Sequence, residues 1–151
     1  RRSFDGKVSF HKLQSMTNES PDTFLRRASS PVQEHAFRRG PRIVALETAI
    51  PHDVMPGLLA LRIHTDAGTV NGVPVIGHGE TYYIPTSAAA VIHDFMSPRL
   101  LGSDACAIES HWRFLYERIT AFGGTGAELR ALSAVDLALW DIAGQLSQQP
   151  V

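Results

Sequence analysis

The feature that most constrains the fold is an amphipathic helix close to the end of the chain, around "SAVDLALWDIAGQ", Ser133 to Gln145. One continuous apolar stripe runs along it, formed by Leu129, Leu132, Val135, Leu139, Ile142 and Leu146. A second, adjacent apolar seam contains Leu137, Trp140 and Gly144. A helix that is apolar over more than half of its circumference cannot be covered by one small sheet alone. The pattern therefore predicts two packing partners for this helix.

Length and composition favour one ordinary soluble domain. The chain has 151 residues, of which 44% are hydrophobic and 19% charged, as in globular proteins. No apolar run approaches the roughly 20 residues that a membrane-spanning helix needs. Cys106 is the single cysteine, so no intramolecular disulfide can form. We expect a cytoplasmic protein that has neither a membrane nor a nucleic acid as its partner.

The charge distribution divides the chain near residue 42. Residues 1–42 contain nine Lys or Arg against four Asp or Glu, whereas residues 43–151 contain five against eleven. The first segment also lacks a sustained hydrophobic period of two or 3.6 residues. We predict that residues 1–42 form a disordered basic extension and that residues 43–151 form the folded domain.

Three strands are predicted at the start of this domain. "IVALETAI" is rich in strand-forming residues, and "LLALRIHT" alternates between apolar and polar positions. Turn residues Asp66, Gly68, Asn71 and Gly72 separate it from "VIGHGETY", in which Gly77 and Gly79 would permit close backbone approach. Three sequential strands predict an antiparallel meander.

About three helices are predicted after the strands, because the hydrophobic period changes to 3.6. The first has Thr86 or Ser87 as its N-cap and Pro98 as its end. The second begins near Ser103 or Asp104 and presents an apolar stripe of Ile108, Trp112, Leu115 and Ile119. The last begins at a capping box, either Thr125-x-x-Glu128 or Ser133-x-x-Asp136, and ends before Pro150. The fold class is therefore α+β, with a three-stranded meander followed by helices.

From about Ile43 to Val151 the chain resembles the N-terminal capping domain of the mandelate racemase and muconate lactonizing group of the enolase superfamily. The resemblance rests on "VALET", "LRIHTDAG", "GHGE", "LLGSDACAIESHW" and, most specifically, "SAVDLALWDIAGQ". It implies a capping domain that lies over a modified (β/α) barrel, and this barrel is absent from the chain. The final helix resembles the one that leads into the barrel and packs against it.

The resemblance also implies how the complete enzyme works. A carboxylate substrate loses its α-proton to a base, while Mg²⁺ held by three acidic residues of the barrel stabilises the enediolate. The only lysines of this chain are Lys7 and Lys12, both in the extension. We therefore expect no catalytic residue, metal ligand or cofactor in this chain, and Mg²⁺ in the complete enzyme.

Two loops are the candidate substrate-binding segments, "AIPHDVMPG" and "ETYYIPT". The resemblance implies that they fold over the barrel mouth, where His52, Asp53, Tyr82 and Tyr83 would contact the substrate. The alternative is that the two tyrosines only finish the strand and pack.

Other candidate sites are less specific. Of the seven histidines none forms an H-E-x-x-H motif, and only His64 and His78 could meet across neighbouring strands. Glu47 and Glu80 are interpreted as hydrogen-bonded structural carboxylates. Gly77-His78-Gly79 lacks the context of a dinucleotide-binding fingerprint.

The sequence thus predicts a capping, substrate-selecting domain of a Mg²⁺-dependent acid-sugar dehydratase-like or racemase-like enzyme, inactive by itself. Its expected partners are the barrel and the carboxylate substrate, and homo-oligomer formation is a further expectation. The alternative is a free-standing, non-enzymatic interaction module that binds a partner through its final helix.

Overall fold

The computed structural model of the chain describes residues 39–121 and 123–150. These residues form one sheet followed by three helical segments. The strands are β1 (Ile43–Ala49), β2 (Leu58–Val70) and β3 (Val73–Tyr82). The first helical segment contains α1 (Pro85–Ala90), a π-helical stretch (Val91–Met96) and α2 (Ser97–Leu100), and it is followed by α3 (Ile108–Thr120) and α4 (Ala127–Ser147).

The sheet is an antiparallel meander with the strand order β1-β2-β3, as predicted. Val70 pairs with Val73, which leaves the two-residue turn Asn71–Gly72 between β2 and β3. Both turn residues have positive φ, 52° and 80°, the requirement of a type I′ hairpin turn. The fold class predicted from the sequence is confirmed, and the described residues contain no closed barrel.

The predicted loop between β2 and β3 is too long, because β2 continues through Asp66 and Gly68. The pairing register shifts between His64 and Thr69, and Gly68 has a φ of 74°. Such a bulge inserts residues into one strand without ending the pairing. The glycine thus marks an irregularity within a strand, and the turn itself is confined to Asn71–Gly72.

The inner face of the sheet packs against α4. Leu59, Leu61 and Ile63 of β2 are fully buried there. A Cβ atom added at Gly77 would lie 2.1 Å from Ala138 O, and one at Gly79 would lie 2.0 Å from Ala134 O. The close backbone approach predicted for these two glycines is confirmed, and it brings β3 directly onto the α4 backbone.

The first helical segment differs from the prediction at both ends. It begins at Pro85 with Ile84 as the N-cap residue, and neither Thr86 nor Ser87 caps it. A proline in the first turn needs no hydrogen-bond partner for a backbone N–H. Pro98 does not end the segment, because the backbone widens into the π-helical stretch before α2 and so accommodates the proline ring.

The predicted starts of the two long helices are also wrong. The first of them begins at Ile108, because the Asp104 carboxylate accepts hydrogen bonds from Cys106 N (2.8 Å) in the preceding turn and from Gly40 N (2.9 Å) before β1. The last begins at Ala127 without a side-chain cap. Ser133 lies inside that helix, where its hydroxyl donates to Leu129 O.

The apolar stripe of α3 is rotated relative to the prediction. Ile108, Leu115 and Ile119 are buried as expected, but Trp112 is exposed and stacks on Tyr116, with ring centroids 4.7 Å apart. His111 takes the buried position, and its Nε2 lies 2.8 Å from Asp104 O. This hydrogen bond satisfies one ring nitrogen of the buried His111, whereas its Nδ1 is buried without a hydrogen-bond partner among the described residues.

The predicted disordered extension stays a prediction, since residues 1–38 lie outside the described residues. Pro41 and Arg42, the last residues of the predicted extension, hydrogen-bond to the folded domain. Pro41 O accepts from Ala105 N (2.8 Å), and Arg42 N donates to Asp66 Oδ1 (2.6 Å). Within the described part of the chain, no helix is long and apolar enough to cross a membrane.

Candidate functional site

The two loops proposed to contact substrate lie side by side at one end of the sheet. The first loop (residues 50–57) connects β1 to β2, and the corner (Tyr82–Ile84) begins at the last residue of β3. Gly57 joins them, because its carbonyl accepts a hydrogen bond from Tyr83 N at 2.9 Å. A Cβ atom at Gly57 would lie 2.9 Å from the Tyr82 ring. Because Gly57 has no side chain, the Tyr82 ring can pack directly against the first loop.

His52 and Asp53 lie at the other end of the first loop, in a turn in which Met55 N donates to Pro51 O at 2.8 Å. Both residues are exposed. Val54 and Met55 follow them and are exposed as well. The first loop therefore presents two polar side chains and then two apolar ones to its surroundings.

The two tyrosines form a T-shaped pair with ring centroids 4.8 Å apart. Tyr82 pairs with Leu58 and ends β3, as the packing alternative predicts. Nevertheless both rings are exposed, Tyr83 to 63% of its surface. Adjacent exposed aromatic rings on a fixed backbone offer a contact surface with little side-chain entropy to lose on binding.

The backbone of the corner is strained. Tyr83 has a φ of 66° and Ile84 a φ of 43°, so two consecutive residues with side chains adopt the left-handed conformation. The residue before a proline favours extended conformations, and a β-branched residue at positive φ is an outlier. Each such residue costs about 1–3 kcal/mol, and strain of this kind clusters at functional sites.

Arg130, in the first turn of α4, also contacts the corner. Its Nη1 donates a hydrogen bond of 2.6 Å to Tyr82 O, and its Cζ lies 5.1 Å from the centroid of the Tyr83 ring. Sequence reasoning missed this residue. The available signal was a cation near the positive end of a helix, where acidic residues are favoured.

A second exposed surface lies along α4 and contains Leu129, Leu137 and Trp140, which we call the apolar seam. Leu129 was predicted to lie on the buried stripe, but it is 39% exposed, and Gly144 of the predicted seam is partly buried. Leu137 is 50% exposed and Trp140 49%, although both lie on a helix whose other side is fully buried. The helix predicted to need two partners packs against the sheet and also against α3 and the first helical segment, while the apolar seam stays uncovered within the described residues.

Polar side chains of α4 reach the outer edge of β3 beside the apolar seam. Asp141 accepts a hydrogen bond of 2.8 Å from His78 N, and Gln145 donates one of 2.7 Å to Ile76 O. These contacts satisfy edge groups that could otherwise pair with another strand. A cavity of about 450 Å³ lies next to them, lined by Ala60, His78, Gly79, Glu80, Leu137 and Asp141.

His64 and His78 do not meet across the strands as a pair. His64 pairs in register with Ile76, and His78 with Arg62. Each imidazole has its own carboxylate neighbour. His64 Nε2 lies 3.0 Å from Glu47 Oε2 without the alignment of a hydrogen bond, and His78 Nδ1 lies 3.2 Å from Asp141 Oδ2.

The described residues offer no metal site. In residues 39–121 and 123–150 no three His, Cys, Asp or Glu side chains converge in a way that could hold an ion. Glu80 is exposed, and the described residues give its carboxylate no hydrogen bond, so its interpretation as a hydrogen-bonded structural group is not supported. Burial raises the pKa of Asp136 on α4, because it disfavours the charged form of the carboxyl group in the folded domain.

The described residues thus form an α+β domain in which the three-stranded sheet packs against α4 and the apolar seam of α4 stays uncovered. The chain belongs to the family of mandelate racemase / muconate lactonizing enzyme N-terminal domains, which matches residues 32–151.

Similar curated proteins are sugar-acid dehydratases. A D-galactonate dehydratase family member from Streptomyces bingchenggensis is 34% identical over 111 residues, which cover 70% of this chain and 26% of that protein. D-mannonate dehydratase from Caulobacter vibrioides is 39% identical over 83 residues, which cover 55% of this chain and 20% of that protein. The chain thus spans about a quarter or less of the length of these relatives.

Solved structures agree with the family assignment. A mandelate racemase/muconate lactonizing enzyme from a marine actinobacterium, in complex with magnesium, is 30% identical with a TM-score of 0.61. The match covers 74% of this chain and 31% of that protein. The chain therefore corresponds to less than a third of the length of that structure.

Proposed function

We propose that this chain is the capping, substrate-selecting domain of a Mg²⁺-dependent acid-sugar dehydratase, and that it has no catalytic activity by itself. The observation that carries the proposal is the apolar seam of α4. Leu137 and Trp140 are half exposed on a helix whose opposite side is buried, which is typical of a face that another domain covers.

The occupant of the apolar seam is the remainder of the enzyme. The relatives are about four to five times as long as the segment that matches this chain, so most of their length remains to form the partner. The polar groups next to the apolar seam, His78 and Asp141, give the interface hydrogen-bonding groups at its rim.

The choice of dehydration among the superfamily reactions follows the relatives. D-galactonate, D-mannonate and arabinonate dehydratases are all similar to this chain at 32–39% identity. A substrate of this class carries one carboxylate and several hydroxyl groups. The exposed polar and aromatic side chains His52, Asp53, Tyr82 and Tyr83 suit hydrogen bonding and apolar contact with such a molecule.

Magnesium belongs to the complete enzyme under this proposal. A related structure contains magnesium, whereas the described residues of this chain do not fit an ion. We therefore assign no step of the reaction to this domain. Its side chains bind and orient the substrate and exclude water from the site.

The test joins this domain to the remainder of a related enzyme. Residues 39–151 are fused to the remaining three-quarters of the Streptomyces bingchenggensis relative, and kcat/KM is measured for a panel of sugar acids. Alanine at His52, Asp53, Tyr82 or Tyr83 should change the relative kcat/KM between substrates by about 1–3 kcal/mol while dehydration persists.

Two results would contradict the proposal. Unchanged substrate ranking in all four variants would remove the selecting role. Loss of dehydration for every substrate in His52→Ala alone, with fold and substrate binding intact, would make His52 a catalytic residue.

The free-standing interaction module would use the same apolar seam. The comparisons favour the capping role, because the chain corresponds to one segment of longer enzymes. We further propose that the complete enzyme is cytoplasmic, since its relatives act on small sugar acids and the single Cys106 requires no oxidising compartment.

A further inference from the structure

We propose that Arg130 is a positioning residue that fixes the Tyr82–Ile84 corner and thereby orients Tyr82 and Tyr83 towards the substrate. This inference rests on the proposed function, and it assigns a selecting role to a residue that lies on α4, outside both loops.

Arg130 makes two different contacts with the corner. Its guanidinium donates to Tyr82 O at 2.6 Å and also lies 5.1 Å from the centre of the Tyr83 ring. The first contact fixes the backbone, and the second fixes a side chain. A planar guanidinium presents a rigid set of N–H donors and a flat face for the ring, whereas an ammonium group is a compact charge without such a face.

The corner needs such a contact because its backbone conformation is unfavourable. Tyr83 and Ile84 have positive φ values, and a strained backbone persists only where its surroundings hold it. The hydrogen bond from Tyr83 N to Gly57 O holds the corner to the first loop, and the α1 N–H of Ala88 donates to Ile84 O. Arg130 supplies the tie to α4.

The position of Arg130 is itself unfavourable for the helix. A cation in the first turn opposes the helix dipole, and Glu128 is the acidic residue in that turn. The contacts with Tyr82 and Tyr83 offset this effect. Arg130 lowers the stability of the helix and contacts two candidate substrate-binding residues. We therefore attribute the presence of an arginine at this position to its contacts with the corner.

The test uses the 151-residue chain and measures hydrogen exchange at the Tyr83 amide, whose bond to Gly57 O reports opening of the corner. Arg130→Gln should exchange about tenfold faster than the wild type, because a charge-assisted hydrogen bond is lost. Arg130→Lys should be intermediate, because it keeps the charge without the planar group.

Arg118→Gln is the matched control. Arg118 also lies 5.1 Å from an aromatic ring, that of Phe114, but it is on α3 and does not contact the corner. Its substitution should leave Tyr83 exchange unchanged. Tyr83 exchange in Arg130→Gln within twofold of the wild type, in a chain that circular dichroism shows to be folded, would overturn the inference.

A second measurement uses the fused enzyme. Arg130→Gln should shift the substrate ranking in the same direction as Tyr83→Ala, and the double variant should shift it no further than the stronger single variant. A merely structural role would instead lower kcat/KM equally for all substrates, and that result would overturn the inference.

The two failures can be told apart. If the corner opens in Arg130→Gln but neither this variant nor Tyr83→Ala changes the ranking, the proposed selecting function fails together with this inference. If Tyr83→Ala changes the ranking while Arg130→Gln alters neither exchange nor ranking, only the role of Arg130 is wrong.

Discussion

The middle of β3 and the corner at its end differ in what fixes their backbone. At Gly77 and Gly79 the strand has no side chains, and the backbone of α4 lies where a Cβ atom would be. Four residues after Gly79, Tyr83 presents an exposed ring on a strained backbone that distant residues hold in place.

Under the proposed function, the middle of β3 serves stability and the corner at its end serves recognition of the substrate. Tight packing in the middle makes the sheet and α4 one unit, since close-packed interiors do not deform continuously. The corner contributes strain and exposed aromatic surface, which stability alone would not favour. Departures from local preference of this kind are expected at functional sites.

Leucines on the two sides of α4 give the largest expected contrast. Leu139 is 1% exposed and Leu137 is 50% exposed. In the isolated chain Leu139→Ala should lower the free energy of unfolding by about 2–5 kcal/mol, because it leaves a cavity in the core. Leu137→Ala should change it by no more than about 0.5 kcal/mol. Urea unfolding measures both, and equal losses would mean that the apolar seam is covered within the chain.

The same substitution at two glycines gives the next contrast. Gly79→Ala should destabilise the chain by about 1–3 kcal/mol, because the new Cβ meets a backbone atom that cannot move without shifting α4. Gly57→Ala should cost less than about 1 kcal/mol, because the Tyr82 ring can rotate away.

The two glycine variants should also differ in function. In the fused enzyme Gly57→Ala should change the substrate ranking, since it moves Tyr82. A Gly57→Ala variant as unstable as Gly79→Ala by thermal unfolding would show that the corner is part of the rigid packing and would remove the distinction between the two regions.

The smallest expected effect concerns Asp136, which lies on α4 between the buried Val135 and the exposed Leu137. Burial raises its pKa in the folded state, so the stability of the folded chain falls as the pH rises through that pKa. Asp136→Asn should therefore have a higher Tm than the wild type at neutral pH and the same Tm at a pH of about 3, where Asp136 is protonated in both states.

A pH series of thermal unfolding curves checks this sign. If Asp136→Asn is less stable than the wild type at neutral pH, and this difference becomes smaller at acidic pH, the ionised carboxylate stabilises the fold and the prediction is wrong.

Sequence patterns predicted those parts of the fold that depend on neighbouring residues. The Asn71–Gly72 turn follows from the conformational preferences of its two residues, and the close approach at Gly77 and Gly79 follows from their missing side chains. The helix starts were wrong, because Asp104 and Ser133 bond to groups other than a helix N-terminus.

The contacts of the candidate site could not be predicted in this way. Arg130 contacts a carbonyl 48 residues earlier in the chain, and Gln145 one 69 residues earlier. Such contacts exist only once the sheet and α4 have docked. The sequence could indicate the exposed loops, but not which distant side chain holds them.

Hydroxyl-radical footprinting of the two tryptophans tests the capping role most directly. Trp140 lies in the apolar seam and Trp112 on α3, and their exposures in this chain are similar, 49% and 41%. The oxidation rate of each is measured in the isolated chain and in the fusion with the remainder of the relative. Oxidation of Trp140 should fall by about fivefold in the fusion, as expected for a residue that enters a buried interface core, while Trp112 should stay within about twofold. Equal oxidation of Trp140 in both proteins, or protection of Trp112 instead, would contradict the account that α4 docks this domain onto the rest of the enzyme.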